Sequence, residues 1–348
     1  MVRHGGRWPD FRVKDNRRAK INVGIPVWNA APFIGETLDS VLKQRDASFT
    51  VFISIDGSDL VSAEACRPFL ADSRVRMTIQ KQRLGWVRNS AAVLAAALAD
   101  EADYACIQPH DDVIDEDYLA ELLVAAESNP AAAVVYSDLL TFGYTGPECI
   151  ISQPSVIGSS QERGLALLSE HYNAVAYRGL IRGSMLRKVP LISGNPFNNF
   201  AADTVWMARL ARVGDLVRVP RVLYRKRYHA GNTHTRWSRW RTGYKIGAWT
   251  RHCLDMLAET LAGAPDPASR RLLHAAARER LAPKTAAVGP YQALLLSMSP
   301  TRKKRMIRRF EMAAAARTDI GLLHSATCPP IGSENWLTKW LLRDYLNL

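Results

Sequence analysis

The 348 residues carry 46 Lys and Arg against 33 Asp and Glu, a net charge of +13, and 47% of them are hydrophobic. That balance excludes a chain disordered throughout and allows one large core with a smaller appendage. The charge calls for a polyanionic partner: a nucleotide diphosphate, a nucleic acid or an anionic lipid face. Five cysteines, Cys66, Cys106, Cys149, Cys253 and Cys328, lack C-x-x-C spacing. They predict a reducing, cytoplasmic setting and no cysteine metal site. The most apolar stretch, Ala91 to Ala99, stops at Asp100 and Glu101, short of a membrane span. Met1 to Lys20 is basic with no apolar stretch behind it, so it predicts a basic arm rather than a secretory signal. A soluble protein is expected, at most peripheral to a membrane.

In chain order, Ile21 to Val27, Phe49 to Ile55, Val75 to Ile79, Tyr104 to Ile107 and Ala132 to Tyr136 are short runs rich in Val and Ile, which predict strands. Between them Phe33 to Lys43, Ser62 to Leu70, Val87 to Ala99 and Tyr118 to Ser128 have apolar residues near the helical period. Alternation of this kind predicts an α/β fold with a mainly parallel sheet and right-handed crossovers. Helices near Gln161 to Glu170 and Asp203 to Val213 follow, then strands at Leu216 to Val219 and Val222 to Tyr228. From Arg236 the composition turns to Ala, Leu and Arg with Trp interspersed, broken at Pro265, Pro283, Pro290 and Pro300, and predicts several helices. The expected organisation is a basic arm (1–20), a catalytic domain (21–235) and a helical C-terminal region (236–348).

Ligands bind beyond the carboxyl ends of strands in such sheets, so the residues just after each strand carry the chemistry. Strand one ends in Ile25-Pro26-Val27-Trp28-Asn29-Ala30 and strand two in Ile55-Asp56-Gly57-Ser58. A carboxylate such as Asp56 at a sheet mouth can accept hydrogen bonds from a nucleobase or ribose, and Gly57 lets backbone approach a ligand. Arg88, in Gly85-Trp86-Val87-Arg88-Asn89, is ill-placed for the dipole at the start of a helix, and a diphosphate nearby would resolve that mismatch. Strand four runs into Gln108-Pro109-His110-Asp111-Asp112. Adjacent carboxylates repel without a cation, and a hard divalent cation is what a nucleotide diphosphate needs.

Together these segments resemble family-2 glycosyltransferases. The family opens with an Ile-Pro-x-x-Asn turn, a helix ending near Ser-x-x-x-Gln (Ser40 to Gln44 here) and an Asp-Asp-Gly-Ser turn, of which Ile55 replaces the first Asp. Its Asp-x-Asp-Asp motif aligns with Pro109, His110, Asp111 and Asp112, the first Asp being replaced by Pro109. The resemblance implies a GT-A fold, a Rossmann-like, mainly parallel sheet flanked by helices, here with a helical C-terminal extension. It implies an inverting, non-processive transferase that moves a sugar from a nucleotide-diphosphate donor, UDP-sugar favoured, to an acceptor hydroxyl in bacterial polysaccharide or glycoconjugate synthesis. Donor-binding residues would be Pro26, Asn29, Asp56, Arg88, Asp111, Arg225 and Arg227. A divalent cation, Mn²⁺ or Mg²⁺, would sit on Asp112, Asp111 and His229, with Asp112 favoured on the metal. The family's Glu-Asp pair becomes Ala202-Asp203, so Asp203 would be the catalytic base. The closing run Val222 to Thr233 supplies the cationic clamp, and Thr233-His234-Thr235-Arg236-Trp237 lacks the Gln of the processive Q-x-x-R-W motif.

The expected partners are the nucleotide-sugar donor and a saccharide or lipid-linked saccharide acceptor, with peripheral contact to an anionic membrane through Arg302 to Arg309. Two other readings stand beside this one. A non-catalytic sugar-nucleotide binder would explain Pro109 and Ala202. A nucleic-acid-binding protein would use Arg236 to Trp249, although no nucleic acid is expected under the resemblance. A nucleotidyltransferase is disfavoured because Ile25 to Ala30 holds no Gly.

Overall fold

The structure, a computed structural model, describes residues 18–143, 148–169, 174–232, 237, 239–283 and 290–323. The predicted arm therefore lies almost wholly outside the described residues. The chain divides into two compact units, each drawn from several segments. The first comprises Met1–Ser155, Ala174–Ser193 and Val213–Ala230; the second comprises Val156–Asn173, Gly194–Arg212 and Gly231–Leu348.

The first unit holds the sheet, its strands in the spatial order β3 (Val75–Ile79), β2 (Ser48–Ile55), β1 (Lys20–Val27), β4 (Tyr104–Ile107), β8 (Leu180–Arg182), β6 (Ala132–Gly143), β9 (Asp215–Tyr228) and β5 (Val113–Ile114), with β7 (Ile150–Ile151) paired to β6. Its first strands are β1 (Lys20–Val27), β2 (Ser48–Ile55), β3 (Val75–Ile79) and β4 (Tyr104–Ile107). They pair in parallel, with Val27 beside Ile55 and Gly24 beside Ile107, so their carboxyl ends open along one edge. β1 is largely apolar and buried almost throughout, as strands inside a parallel sheet are. Its one buried amide, Asn22, donates to the Ala97 carbonyl at 2.7 Å. The crossover helices are α1 (Ile34–Leu42), α2 (Leu60–Cys66), α3 (Trp86–Ala99) and α4 (Tyr118–Ser128). Ile34, Thr37, Leu38 and Val41 form the buried stripe of α1, the spacing that a helix needs to present one face.

The remaining strands are β5 (Val113–Ile114), β6 (Ala132–Gly143), β7 (Ile150–Ile151), β8 (Leu180–Arg182) and β9 (Asp215–Tyr228). β8 runs antiparallel to both β4 and β6, and β5 antiparallel to β9. The pair of strands expected at 216–219 and 222–228 is one strand. Its register against β6 slips between Ser137 and Asp138, where Val219 and then Val222 are the partners. The irregularity absorbs Pro220, which has no N–H for the ladder. Beside it the Arg218 guanidinium donates to both oxygens of Asp138, at 2.7 and 2.6 Å. β6 also runs well past the expected Tyr136. β5, β7 and β8, of two or three residues each, are too short for period-two alternation to show.

The second unit is helical: α5 (Ser160–Ser169), α7 (Ala202–Leu210), α8 (Thr242–Leu261), α9 (Pro267–Leu281), α10 (Pro290–Leu296) and α11 (Pro300–Leu323), while the short α6 (Gly183–Leu186) belongs to the first unit. Two buried arginines hold it together by satisfying helix-end carbonyls. Arg163 donates to the Ala211 carbonyl at 2.6 Å, and Arg280 to that of Leu167 at 3.2 Å. Among the described residues no helix is long and apolar enough to cross a membrane.

Candidate active site

The turn after β4 is wound by its own backbone and by Gln108. Gln108 N–H donates to the Gly24 carbonyl at 2.9 Å, and its side-chain amide donates to the Asp112 carbonyl at 3.0 Å. β5 then pairs with β9, placing Val113 opposite Arg225 and Ile114 opposite Tyr224. That short ladder sets residues 224–229 across from the acidic turn.

Asp112 is 2% exposed, and its carboxylate accepts three hydrogen bonds. They come from the Tyr224 hydroxyl at 2.8 Å, Arg178 Nε at 3.1 Å and the Arg227 backbone N–H at 2.8 Å. Asp112 therefore joins the β4–β5 turn to β9 and to the 3₁₀ turn Val175–Arg178. Asp111 points elsewhere: its carboxylate lies 2.9 Å from His229 Nε2, with both side chains slightly exposed. Burial, then the neighbouring Asp111 charge, push the Asp112 carboxyl above the ordinary range, against the pull of Arg178, the Arg227 N–H and Tyr224. For Asp111, burial is outweighed by the His229 hydrogen bond and the charges of His110, His229 and Arg178, which hold it below the ordinary range. Asp111 is thus the carboxylate of the pair that carries charge outward.

The His229 ring packs on Phe33, with centroids 4.6 Å apart. Arg227 forms the wall behind it. Its Nε donates to the Asp111 carbonyl at 2.9 Å, its terminal nitrogen pairs with Glu36 on α1, and its guanidinium lies over Phe33 and Phe142. Arg225, on the same strand, is exposed over Phe142.

At the neighbouring strand ends, Pro26 takes part through its carbonyl, which accepts from His110 Nδ1 at 2.9 Å. The exposed Asn29 adopts φ 51°, and its N–H donates to Asp59 at 2.5 Å. Asp56 is 1% exposed and accepts from the backbone N–H groups of Leu84, at 2.5 Å, and Gly85, at 2.9 Å. It clamps the loop after β3 to the end of β2. Gly57 is required there: its φ is +72°, and a Cβ would meet the Arg83 nitrogen at 2.9 Å. The Arg83 guanidinium stacks on Trp28 at 3.9 Å. Arg88 is exposed in the first turn of α3.

Asp203 belongs to the second unit, in the first turn of α7. The loop before it is wound by asparagines: Asn195 accepts from the Phe197 N–H at 3.0 Å and donates to the Phe200 carbonyl at 2.8 Å, and Asn199 accepts from the Asn195 N–H at 3.1 Å. Asn198, Asn199 and Ala201 all have φ near +50°, an arrangement that Asn tolerates and Ala resists. Asp203 Oδ1 accepts from the Thr204 N–H at 2.9 Å.

The first unit thus brings Asp111, Asp112, Arg227 and His229 into one cluster. Asp56, Pro26, Asn29 and Arg88 line the adjoining strand ends. Sequence reasoning missed Arg178, which lies outside every motif, and Tyr224 and Glu36, which lie within motif segments but meet Asp112 and Arg227 only in the folded sheet.

The model of glycosyl transferase family 2 matches residues 22–175, which hold the acidic turn but not Arg178, Asp203 or β9. Residues 22–175 are those of a glycosyl transferase family 2 segment. A glycosyltransferase GlyG of Streptococcus pneumoniae serotype 4 is 26% identical over 116 residues, 33% of this chain and 38% of that protein. The aligned stretch is therefore well under half of that curated relative. Among solved structures, S. aureus TarS 1-349 in complex with UDP superposes with a TM-score of 0.61 at 14% identity, over 86% of this chain and 82% of that one. The mannosyltransferase PcManGT from Pyrobaculum calidifontis, in complex with GDP-Man and Mn²⁺, gives 0.50 at 15% identity over 99% and 90%. These likenesses establish the GT-A fold for the family-2 domain and for the chain's mixed α/β architecture with helical C-terminal region.

The division between the two carboxylates predicts different consequences of removing them. Asp112→Ala removes the buried acceptor shared by three donors and should cost about 3–5 kcal/mol in urea unfolding. Asp111→Ala should cost less than about 2 kcal/mol, because its partner His229 lies at the rim. Equal losses in the two variants would contradict the assignment of Asp112 as the buried anchor.

Proposed function

We propose that the chain is an inverting, non-processive glycosyltransferase that takes a sugar from a nucleotide-diphosphate donor, UDP-sugar favoured, and joins it to a hydroxyl of a saccharide or lipid-linked saccharide. The observation that carries this reading is the Asp111–His229 pair, 2.9 Å apart at the carboxyl edge of a parallel sheet, beside a carboxylate already consumed by the fold. Among the described residues no three His, Cys, Asp or Glu side chains converge as a metal site. One carboxylate and one imidazole suit a divalent cation, Mn²⁺ or Mg²⁺, that takes its other ligands from diphosphate oxygens and water. Asp111 and His229 would hold it, rather than Asp112, whose oxygens are occupied. Bound there, it would neutralise the charge that grows on the departing nucleoside diphosphate.

The protein's own residues then divide the work. Asp111 and His229 fix the diphosphate end. The exposed Arg88 and Arg225 supply further cationic contacts to it, and Arg227 holds the wall against which His229 rests. Asn29 and the Asp56 clamp shape the nucleoside end. On the acceptor side, Asp203 takes the proton of the attacking hydroxyl onto its carboxylate. Its separation in sequence from the metal pair, and the strained loop that presents it, support that role. The nucleotide diphosphates and the Mn²⁺ in the complexes of TarS and PcManGT are consistent with such a donor.

Thermal-shift titration of UDP with and without Mn²⁺, combined with kinetics, tests the reading. Wild type and Asp203→Asn should both show Mn²⁺-dependent stabilisation, about 2.7 kcal/mol at a hundredfold excess over Kd. Asp111→Ala and His229→Ala should lose it. Asp203→Asn should lower kcat about a hundred- to ten-thousand-fold. Mn²⁺ dependence surviving in Asp111→Ala would refute the metal assignment, and wild-type kcat in Asp203→Asn would reduce that residue to a helix-start carboxylate. Donor binding without transfer by the wild type would favour a non-catalytic binder.

We also propose a cytoplasmic setting, in keeping with the free Cys66, Cys106, Cys149 and Cys253, and reversible docking of α11 on an anionic membrane face. Arg302, Lys304, Arg305 and Arg308 are exposed while Met306 and Phe310 are buried, and Glu311 is taken up by Arg278 at 3.4 Å. Each exposed cation contributes about 1 kcal/mol near such a surface. The protein should sediment with phosphatidylglycerol vesicles at low salt, and changing these four residues to Gln should release it. Equal sedimentation with phosphatidylcholine vesicles would refute the docking.

A further inference from the structure

The basic, Trp-containing stretch after β9 is not used by the donor site. In the second unit it folds against the loop that leads to Asp203. Phe197 and Phe200, both buried, are the anchors. Phe197 meets Tyr244 edge-on at 5.2 Å, Tyr244 meets Trp240 edge-on at 4.7 Å, and Phe200 lies 6.0 Å from Trp240. Trp240 and Tyr244 stay half-exposed. The exposed Asn198 donates from its amide to the Tyr244 hydroxyl at 3.3 Å, so the rings are pinned to the segment that continues into α7 and Asp203.

Charge flanks the rings. Arg239 and Arg241 are exposed on either side of Trp240, and no Asp or Glu occurs between Arg218 and Arg251. Arg241 is also the residue before the first turn of α8, a twenty-residue helix whose N-terminus carries no side-chain cap and no acidic residue. Uncapped N–H groups and the helix dipole both favour an anion at that end.

We propose that Trp240, Tyr244, Arg239, Arg241 and the start of α8 form the acceptor platform of this enzyme, a surface for a saccharide bearing phosphate or carboxylate groups. Sugar rings present polarised C–H bonds, which the negative faces of aromatic rings attract. The arginines and the helix start meet the acidic substituents. The placement rests on the reading of Asp203 as the acceptor-side base, since the same loop presents both.

The test is retention of the full-length protein on a glycan array with neutral, carboxylated and phosphorylated saccharides, with oligo(dT) as a further arm. Wild type should retain acidic glycans above neutral ones, and the two acidic arms identify which substituent is read. Trp240→Ala and Tyr244→Ala should each weaken retention about tenfold or more, while Trp240→Phe keeps most of it. Arg239→Gln combined with Arg241→Gln, both at exposed positions, should remove the preference for acidic glycans and its salt sensitivity. Asp203→Asn should bind as wild type, so failure of the base assignment shows in kcat and failure of the platform shows in retention. Absence of any acidic preference, retention unchanged in the arginine double variant, or retention of oligo(dT) in place of glycans would overturn the proposal.

Discussion

The functional edge of the molecule depends on one buried carboxylate. Asp112 lies out of water in contact with three donors from two separate pieces of chain: Tyr224 and Arg227 on β9, and Arg178 at the end of a 3₁₀ turn. An ionised group so placed is costly unless its hydrogen bonds are complete, so the fold that satisfies it is held to a narrow geometry. β9 can approach the β4–β5 turn only in the register that delivers Tyr224 and the Arg227 N–H together. Once that register is set, Arg227 reaches back to Glu36 and the Asp111 carbonyl, and His229 comes to rest beside the Asp111 carboxylate.

A second carboxylate works in the same way on the neighbouring strand. Asp56 uses both oxygens on the Leu84 and Gly85 N–H groups and so fixes the entry to α3. Two of the acidic residues at the sheet mouth are therefore absorbed by architecture. Asp111 is left as the charged group of its pair nearer the rim, its carboxyl held low by His229, His110 and Arg178 against the effect of burial. A diphosphate bound there, as proposed, would meet little repulsion from so few acidic groups and would share the cation with the protein.

The sheet was legible in the sequence because β1, β2 and β4 are apolar and largely buried, and α1 carries a clean apolar stripe. The irregular half was less so. The two strands expected on either side of Pro220 are continuous, because a slipped register lets a strand pass a residue without an N–H. The acidic turn, His229, Arg227 and Asp203 could each be picked out as motif residues. Their partition could not. Whether Asp111 or Asp112 faces a ligand depends on Tyr224 and Arg178, whose side chains meet Asp112 only after residues 66 and 112 positions apart are brought together.

The central claim, that Asp111 and His229 form the cation-bearing corner while Asp112 does not, is most directly tested by pulsed EPR of Mn²⁺ bound to the protein with UDP. The account predicts modulation from a directly coordinated imidazole nitrogen together with phosphorus coupling from UDP, the nitrogen signal vanishing in His229→Ala. Mn²⁺ bound with UDP but without a nitrogen ligand, or with a nitrogen signal that survives His229→Ala, would contradict it.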